Sequence, residues 1–132
     1  MTPLTEAQEQ EGFTDWLAWR HFPFFHVPNE TGGRDASLTI RAAKMKRAGV
    51  KRGVPDLFVF IPVKGATGEV DSYQPLAIEM KRAKGGKVSP EQEQWGAILQ
   101  CAGIPWRVCH GCGEAMDFVR ELEDQISGGE EF

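Results

Sequence analysis

Pro75-Leu76-Ala77-Ile78-Glu79-Met80-Lys81, read beside Gly53-Val54-Pro55-Asp56-Leu57-Phe58-Val59-Phe60-Ile61, decides the fold. Both are short apolar runs, the second rich in β-branched and aromatic residues, and each reads as a strand. Alternation in the first run puts Leu76, Ile78 and Met80 on one face and Ala77, Glu79 and Lys81 on the other. An acid and a lysine two apart on a strand point the same way. Inside an apolar strand such charges are costly unless paired or bound to a cation. Asp56, at the mouth of the neighbouring strand, can approach them across the pairing. The polar stretch Lys64–Gln74 between the runs is expected to be a long, exposed hairpin tip.

Outward from this pair, helices frame the strands. Thr5-Glu6-Ala7-Gln8 reads as a capping box opening a helix that runs to about Arg20, with Phe13, Trp16 and Leu17 inward. Stepping back from Phe13 along that face reaches Gln10, Glu9 and Glu6, so it turns from apolar to carboxylate toward the helix start. Phe22–Val27 is a short strand, followed by a Gly32-Gly33 loop and a helix from about Ala36 to Ala48, with Leu38, Ala42 and Met45 inward and Gly49 as its stop. Ser89-Pro90-Glu91-Gln92 opens a third helix, to about Ala102. Ile104–Cys109 is a further strand, Glu114–Ile126 a last helix, and 127–132 an acidic tail expected to fray. The order is α-β-α-β-β-α-β-α: an α/β chain with a mixed central sheet flanked by helices. With no repeat or linker, residues 1–132 are expected to form one domain, its core about 5–126.

The composition bounds the function. No apolar run approaches the ~20 residues that span a bilayer, so no membrane partner is expected. Three cysteines without framework spacing favour a reducing cytoplasm. The net charge of −4 is unevenly spread: residues 31–87 hold twelve Lys/Arg against five Asp/Glu, and the ends are strongly acidic. Clustered charge describes what a face attracts. Arg41, Lys44 and Arg47 line one face of the second helix and Lys51 and Arg52 follow; with Arg34, Lys84 and Lys87 they are the candidate phosphate contacts.

Two carboxylates and an ammonium on adjacent strands make a hard, oxygen-rich site, and Mg²⁺ favours such sites while keeping several waters. A metal there would polarise a phosphoryl oxygen and acidify a bound water. Lys81 could orient that water, stabilise negative charge or take a proton. The plainer reading of an isolated Glu-x-Lys is an exposed pair on an edge strand, which stabilises little; the preceding Pro-Asp and the basic helix favour the catalytic one. Cys109-His110-Gly111-Cys112 has metal-ligand or redox spacing but no second cysteine pair, and reads as a strand-to-helix loop. His21, His26 and His110 are scattered and support no His-centred mechanism, and Trp16, Trp19, Trp95 and Trp106 read mainly as core.

Gly53-Val54-Pro55-Asp56, Ala77-Ile78-Glu79-Met80-Lys81-Arg82 and Ser89-Pro90-Glu91-Gln92-Glu93-Gln94-Trp95, in this order and spacing, resemble the VRR-NUC nucleases of the PD-(D/E)xK superfamily. The similarity extends through His26-Val27-Pro28-Asn29-Glu30 and covers roughly residues 6–122. The resemblance implies a restriction-endonuclease-like core and a Mg²⁺- or Mn²⁺-dependent endonuclease, bacterial or phage-encoded. It also implies a homodimer acting on branched DNA such as Holliday junctions. By position it makes Asp56 and Glu79 metal ligands, Lys81 the catalytic lysine and Gln92 the family glutamine, which is also an N3 cap. A first-helix acid completes the set: Glu6, with Gln10 as its partner, or its rival Glu9, with Glu30 a further possibility. Flap or nicking endonucleases, a restriction-type enzyme and a non-catalytic DNA-binding module are the alternatives, and a thiol or zinc protein a more distant one.

Overall fold

The computed structural model describes residues 2–28, 43–44, 47–49 and 51–128. Helix α1 (Glu6–Trp19) starts at Thr5, whose hydroxyl accepts from the Gln8 amide at 3.1 Å while Gln8 Oε1 accepts from the Thr5 amide at 2.9 Å. His21, at φ 60°, turns the chain into β1 (Phe24–His26). Strands β2 (Leu57–Lys64) and β3 (Val70–Lys81) form a hairpin. Helix α2 (Pro90–Cys101) carries the second capping box, between Ser89 and Gln92, and leads to β4 (Trp106–His110) and α3 (Cys112–Gly128).

The sheet order is β1-β2-β3-β4, antiparallel at its first two pairings and parallel between β3 and β4. A parallel pair cannot be joined by a tight turn, and α2 is the crossover that joins this one. Leu57, Val59 and Ile61 of β2 share a core with Leu76, Ile78 and Met80 of β3, Cys109 of β4, Phe13 and Leu17 of α1, and Ala115, Phe118, Val119 and Leu122 of α3. Register places Leu57 opposite Ile78 and Val59 opposite Leu76, so the core faces of the two strands coincide. On the other face Phe25 lies 5.1 Å from Phe58 and 6.0 Å from Phe60 between ring centroids.

The mixed sheet and flanking helices are those expected. The hairpin differs: β3 begins at Val70, so most of the expected tip is strand and only 65–69 turns. Polar residues such as Ser72 and Gln74 extend the ladder at an end where Val70–Tyr73 are exposed, so staying solvated costs them nothing. The last helix starts at Cys112, two residues earlier than its apolar pattern suggested. Of the expected second helix, Ala43, Lys44 and Arg47 are helical, and Gly49 has the left-handed φ of 105° expected of a helix stop. Leu38, Ala42, Met45, the Gly32-Gly33 loop and the last four residues of the tail lie outside the described residues.

One glycine holds the entry to β2 in place. Gly53 is buried at φ 85°, and a Cβ there would stand 2.6 Å from the Glu91 carbonyl carbon and 2.8 Å from the Gln92 nitrogen. The 51–55 segment is thus seated on the start of α2 by backbone contact that no other residue permits. Gly53→Ala is expected to lower stability by about 1–3 kcal/mol. An unchanged urea midpoint would show that the close approach is not real.

Candidate active site

Pro55 and Asp56 end the loop that Gly53 seats. The Asp56 carbonyl accepts from the Val27 amide at 2.7 Å, and His26 Nδ1 stands 3.0 Å from the same oxygen. Its carboxylate is held from the other side, Oδ2 accepting from the Met80 amide at 2.8 Å. The register that pairs Leu57 with Ile78 brings Asp56 abreast of Glu79. β1, β2 and β3 all contribute to the placing of this one aspartate.

Glu79 is 2% exposed and Asp56 4%. Alternation sets Glu79 and Lys81 on the face opposite Ile78 and Met80, as expected. Both faces are covered at this point, Leu76 through Met80 all being buried. β3 is a central strand with structure over both faces here, and Glu79 is enclosed rather than displayed on an edge. Lys81 Nζ lies 3.7 Å from Glu79 Oε2, its side chain 11% exposed. Glu79 Oε1 is buried without a hydrogen-bond partner among the described residues.

Burial pushes the Glu79 carboxyl from 4.5 up to about 9; the charge of Asp56 and a hydrogen bond with it push the same way, Lys81 opposes, and Glu6 adds a smaller upward push. Two carboxylates this close and this dry cannot both ionise without a cation between them. The orphaned Oε1 and the all-oxygen donor set suit a hard divalent ion. Asp56 and Glu79 are the residues that would hold it. Among the described residues no three of His, Cys, Asp and Glu gather into a metal-holding group. Glu6 is therefore near enough to act on Glu79 by charge without closing a triad.

The other expected site residues separate by their contacts. Glu9 Oε1 accepts from the Cys112 amide at 3.2 Å, and Gly111, at φ 95°, leaves room for Oε2 where a Cβ would approach to 2.9 Å. Glu9 thus caps α3, a favourable place for a carboxylate at a helix N-terminus. Gln10 faces His26, its amide nitrogen 3.1 Å from Nδ1. Gln92 is 9% exposed, and its Oε1 accepts from the Ser89 amide at 2.9 Å, so it has the capping role in any case. Lys44, Arg47, Lys51, Arg52, Lys84 and Lys87 are all exposed. Gly86, at φ 81°, turns the Lys84–Lys87 loop back against Lys81, a Cβ there falling 3.3 Å from Lys81 Cδ. Glu30, Arg34 and Arg41 lie outside the described residues.

The strand-to-helix reading of Cys109–Cys112 agrees with the structure. Cys109 is fully buried, with its thiol pushed up to about 12 by burial, and burial also raises Cys112. Both shifts oppose thiolate chemistry. His26 is the contact that sequence reasoning passed over: its partner is a main-chain carbonyl 30 residues away, and its only trace was the His26–Glu30 run within the resemblance.

Comparison with known proteins places this geometry. A family model described as the VRR-NUC domain matches residues 4–113. A solved structure titled "VRR_NUC domain protein" superposes with a TM-score of 0.69 at 25% identity, over 95% of this chain and 92% of that one. None of the curated proteins compared matches the chain. With most of its length matched by the domain model, and its fold shared with that solved structure, the chain belongs to the VRR-NUC family of nucleases.

Proposed function

We propose that the chain is a divalent-metal-dependent, structure-specific DNA endonuclease that works as a homodimer on branched DNA, four-way junctions in particular. The observation that carries this reading is the buried Asp56–Glu79 pair with its orphaned oxygen. Held by these two residues, Mg²⁺ or Mn²⁺ would supply Lewis-acid polarisation of a phosphoryl oxygen and would offset the charge of the two carboxylates.

The chain's own residues do the remaining work. Asp56 and Glu79 would hold the ion, and Glu6 of α1 would act on the pair by its charge. Lys81 keeps its ammonium beside Glu79, where it stabilises negative charge developing on the phosphate or orients the attacking water. Gln92 fixes the start of α2 against the loop that carries Asp56. The exposed Lys51, Arg52, Lys84 and Lys87, with Lys44 and Arg47 and the residues Arg34 and Arg41, take the backbone phosphates, positioning DNA without reading its sequence. Such contacts suit recognition by the shape of the DNA. One site cuts one strand, so paired cuts in a junction need two sites related by a two-fold axis.

The test compares wild type with Lys81→Ala on labelled four-way junction, flap and linear duplex DNA, in Mg²⁺, Mn²⁺ or EDTA. Metal-dependent junction cutting is expected, with the rate falling by about 100-fold or more in the variant. Cutting of flap or duplex instead would keep the active site and discard the junction. Binding without cutting would leave a DNA-binding module.

A second prediction concerns pH. Glu79 is neutral in the metal-free fold until pH nears 9, whereas unfolded it ionises near 4.5. Its contribution to stability is complete below about 4.5 and is lost as pH rises toward 9. In EDTA, thermal midpoints should therefore fall between pH 6 and pH 9, and Glu79→Gln should flatten that fall and raise the pH 8.5 midpoint by about 5 °C. Mn²⁺ displaces the proton, so its stabilising shift should be larger at pH 8.5 than at pH 6.5 in wild type and absent in the variant. A flat wild-type profile in EDTA would contradict the burial of this carboxyl.

A further inference from the structure

We propose that His26 is a positioning residue for Asp56, acting through Nδ1 on the Asp56 main-chain carbonyl and joining helix α1 to the metal-site turn. The His26 ring stands where three elements meet. It ends β1, its Nδ1 is 3.0 Å from the Asp56 carbonyl oxygen, and the Gln10 amide of α1 is 3.1 Å from the same nitrogen. A carbonyl oxygen only accepts, so the contact requires the Nδ1–H tautomer. Gln10 then meets the proton with the oxygen end of its amide, reached by half a turn about its last bond.

The geometry explains why a histidine is useful here. Asp56 precedes the first residue of β2, where the ladder has not yet begun to hold the backbone. Its carbonyl takes the Val27 amide at 2.7 Å and the His26 ring from the side, while its carboxylate takes the Met80 amide. Without the ring, the carbonyl keeps a single strand contact and the Pro55–Asp56 turn gains freedom to rotate. The carboxylate would then swing relative to Glu79. Gln10 is one turn along α1 from Glu6, so the same ring touches the helix that carries that acid. Groups that orient a metal-site residue in this way are commonly worth 10–100-fold in affinity or activity.

The catalytic part of this proposal rests on the nuclease reading above; the positioning part does not. The experiment therefore has two arms, each comparing wild type with His26→Ala, His26→Asn and His26→Gln. Asparagine carries its amide nitrogen about where Nδ1 lies, and glutamine carries its own nearer Nε2. The first arm is amide hydrogen exchange by NMR in metal-free protein. Met80, whose N–H donates to Asp56 Oδ2, should exchange about tenfold faster in the Ala and Gln variants and near the wild-type rate in Asn. Amides around Val59 and Leu76 should be unchanged in all. The second arm is junction cleavage at saturating Mn²⁺. The turnover rate should fall about 10-fold or more in Ala and Gln with little change in KM for DNA, and return to within about threefold in Asn.

Met80 exchange that ignores His26 in every variant would overturn the proposal. Rescue of cleavage by Gln rather than Asn would also overturn it, assigning the work to Nε2. General loss of protection in Ala that Asn fails to repair would make His26 a fold residue and not a positioning one. Should wild type cut no DNA, the nuclease reading falls, and the exchange arm still decides whether the ring holds Asp56.

Discussion

Two carboxylates, Asp56 and Glu79, are enclosed side by side at the mouth of the sheet, and much of the architecture is organised around keeping them there. Burial of like charges is unfavourable, and the metal-free fold meets this by leaving a proton on Glu79 until pH nears 9. The Lys81 ammonium at 3.7 Å opposes this but does not outweigh burial and the Asp56 charge. A polar pair so disposed lowers the stability of the fold alone and is suited to a ligand that brings positive charge. The deficit is local: beneath it lies a continuous apolar core from Phe13 to Leu122.

That pair depends on backbone placed from several directions. The Met80 amide fixes one oxygen of Asp56, and Val27 and His26 fix its carbonyl. Gly53 lets the preceding loop rest on the backbone of Glu91 and Gln92. Packing of the same kind recurs on β4, where a Cβ on Gly96 would stand 2.5 Å from the Trp106 ring, so α2 lies close against the strand that pairs with β3. The helix after the last strand is anchored by Glu9, across 103 residues of sequence. α1 thus serves two neighbours of the site: Glu9 caps α3 beside Lys81, while Gln10 meets His26 and Glu6 acts on Glu79 by its charge.

The family match ends at residue 113, at the first turn of α3, yet Ala115, Phe118, Val119 and Leu122 complete the core. That last helix covers the same sheet face as α1 and is held there by apolar packing, which many sequences can supply.

Sequence by itself determined those features whose partners lie within a few residues. Thr5 with Gln8 and Ser89 with Gln92 are three apart, and both helices start where that spacing says. Alternation along Leu76–Lys81 was enough to set Glu79 beside Lys81, and Pro55-Asp56 ahead of an apolar run was enough to bring a second acid to them. Only the tertiary structure decided what depends on contacts across long stretches of chain. It enclosed Glu79 by covering both faces of β3, drew the polar residues after Val70 into the hairpin, separated Glu9 from Glu6, and gave His26 a partner 30 residues away. The physical reason is that caps and pleats repeat over two to four residues and leave a period in the sequence. A carbonyl, a helix end or a buried face met from elsewhere in the fold leaves none.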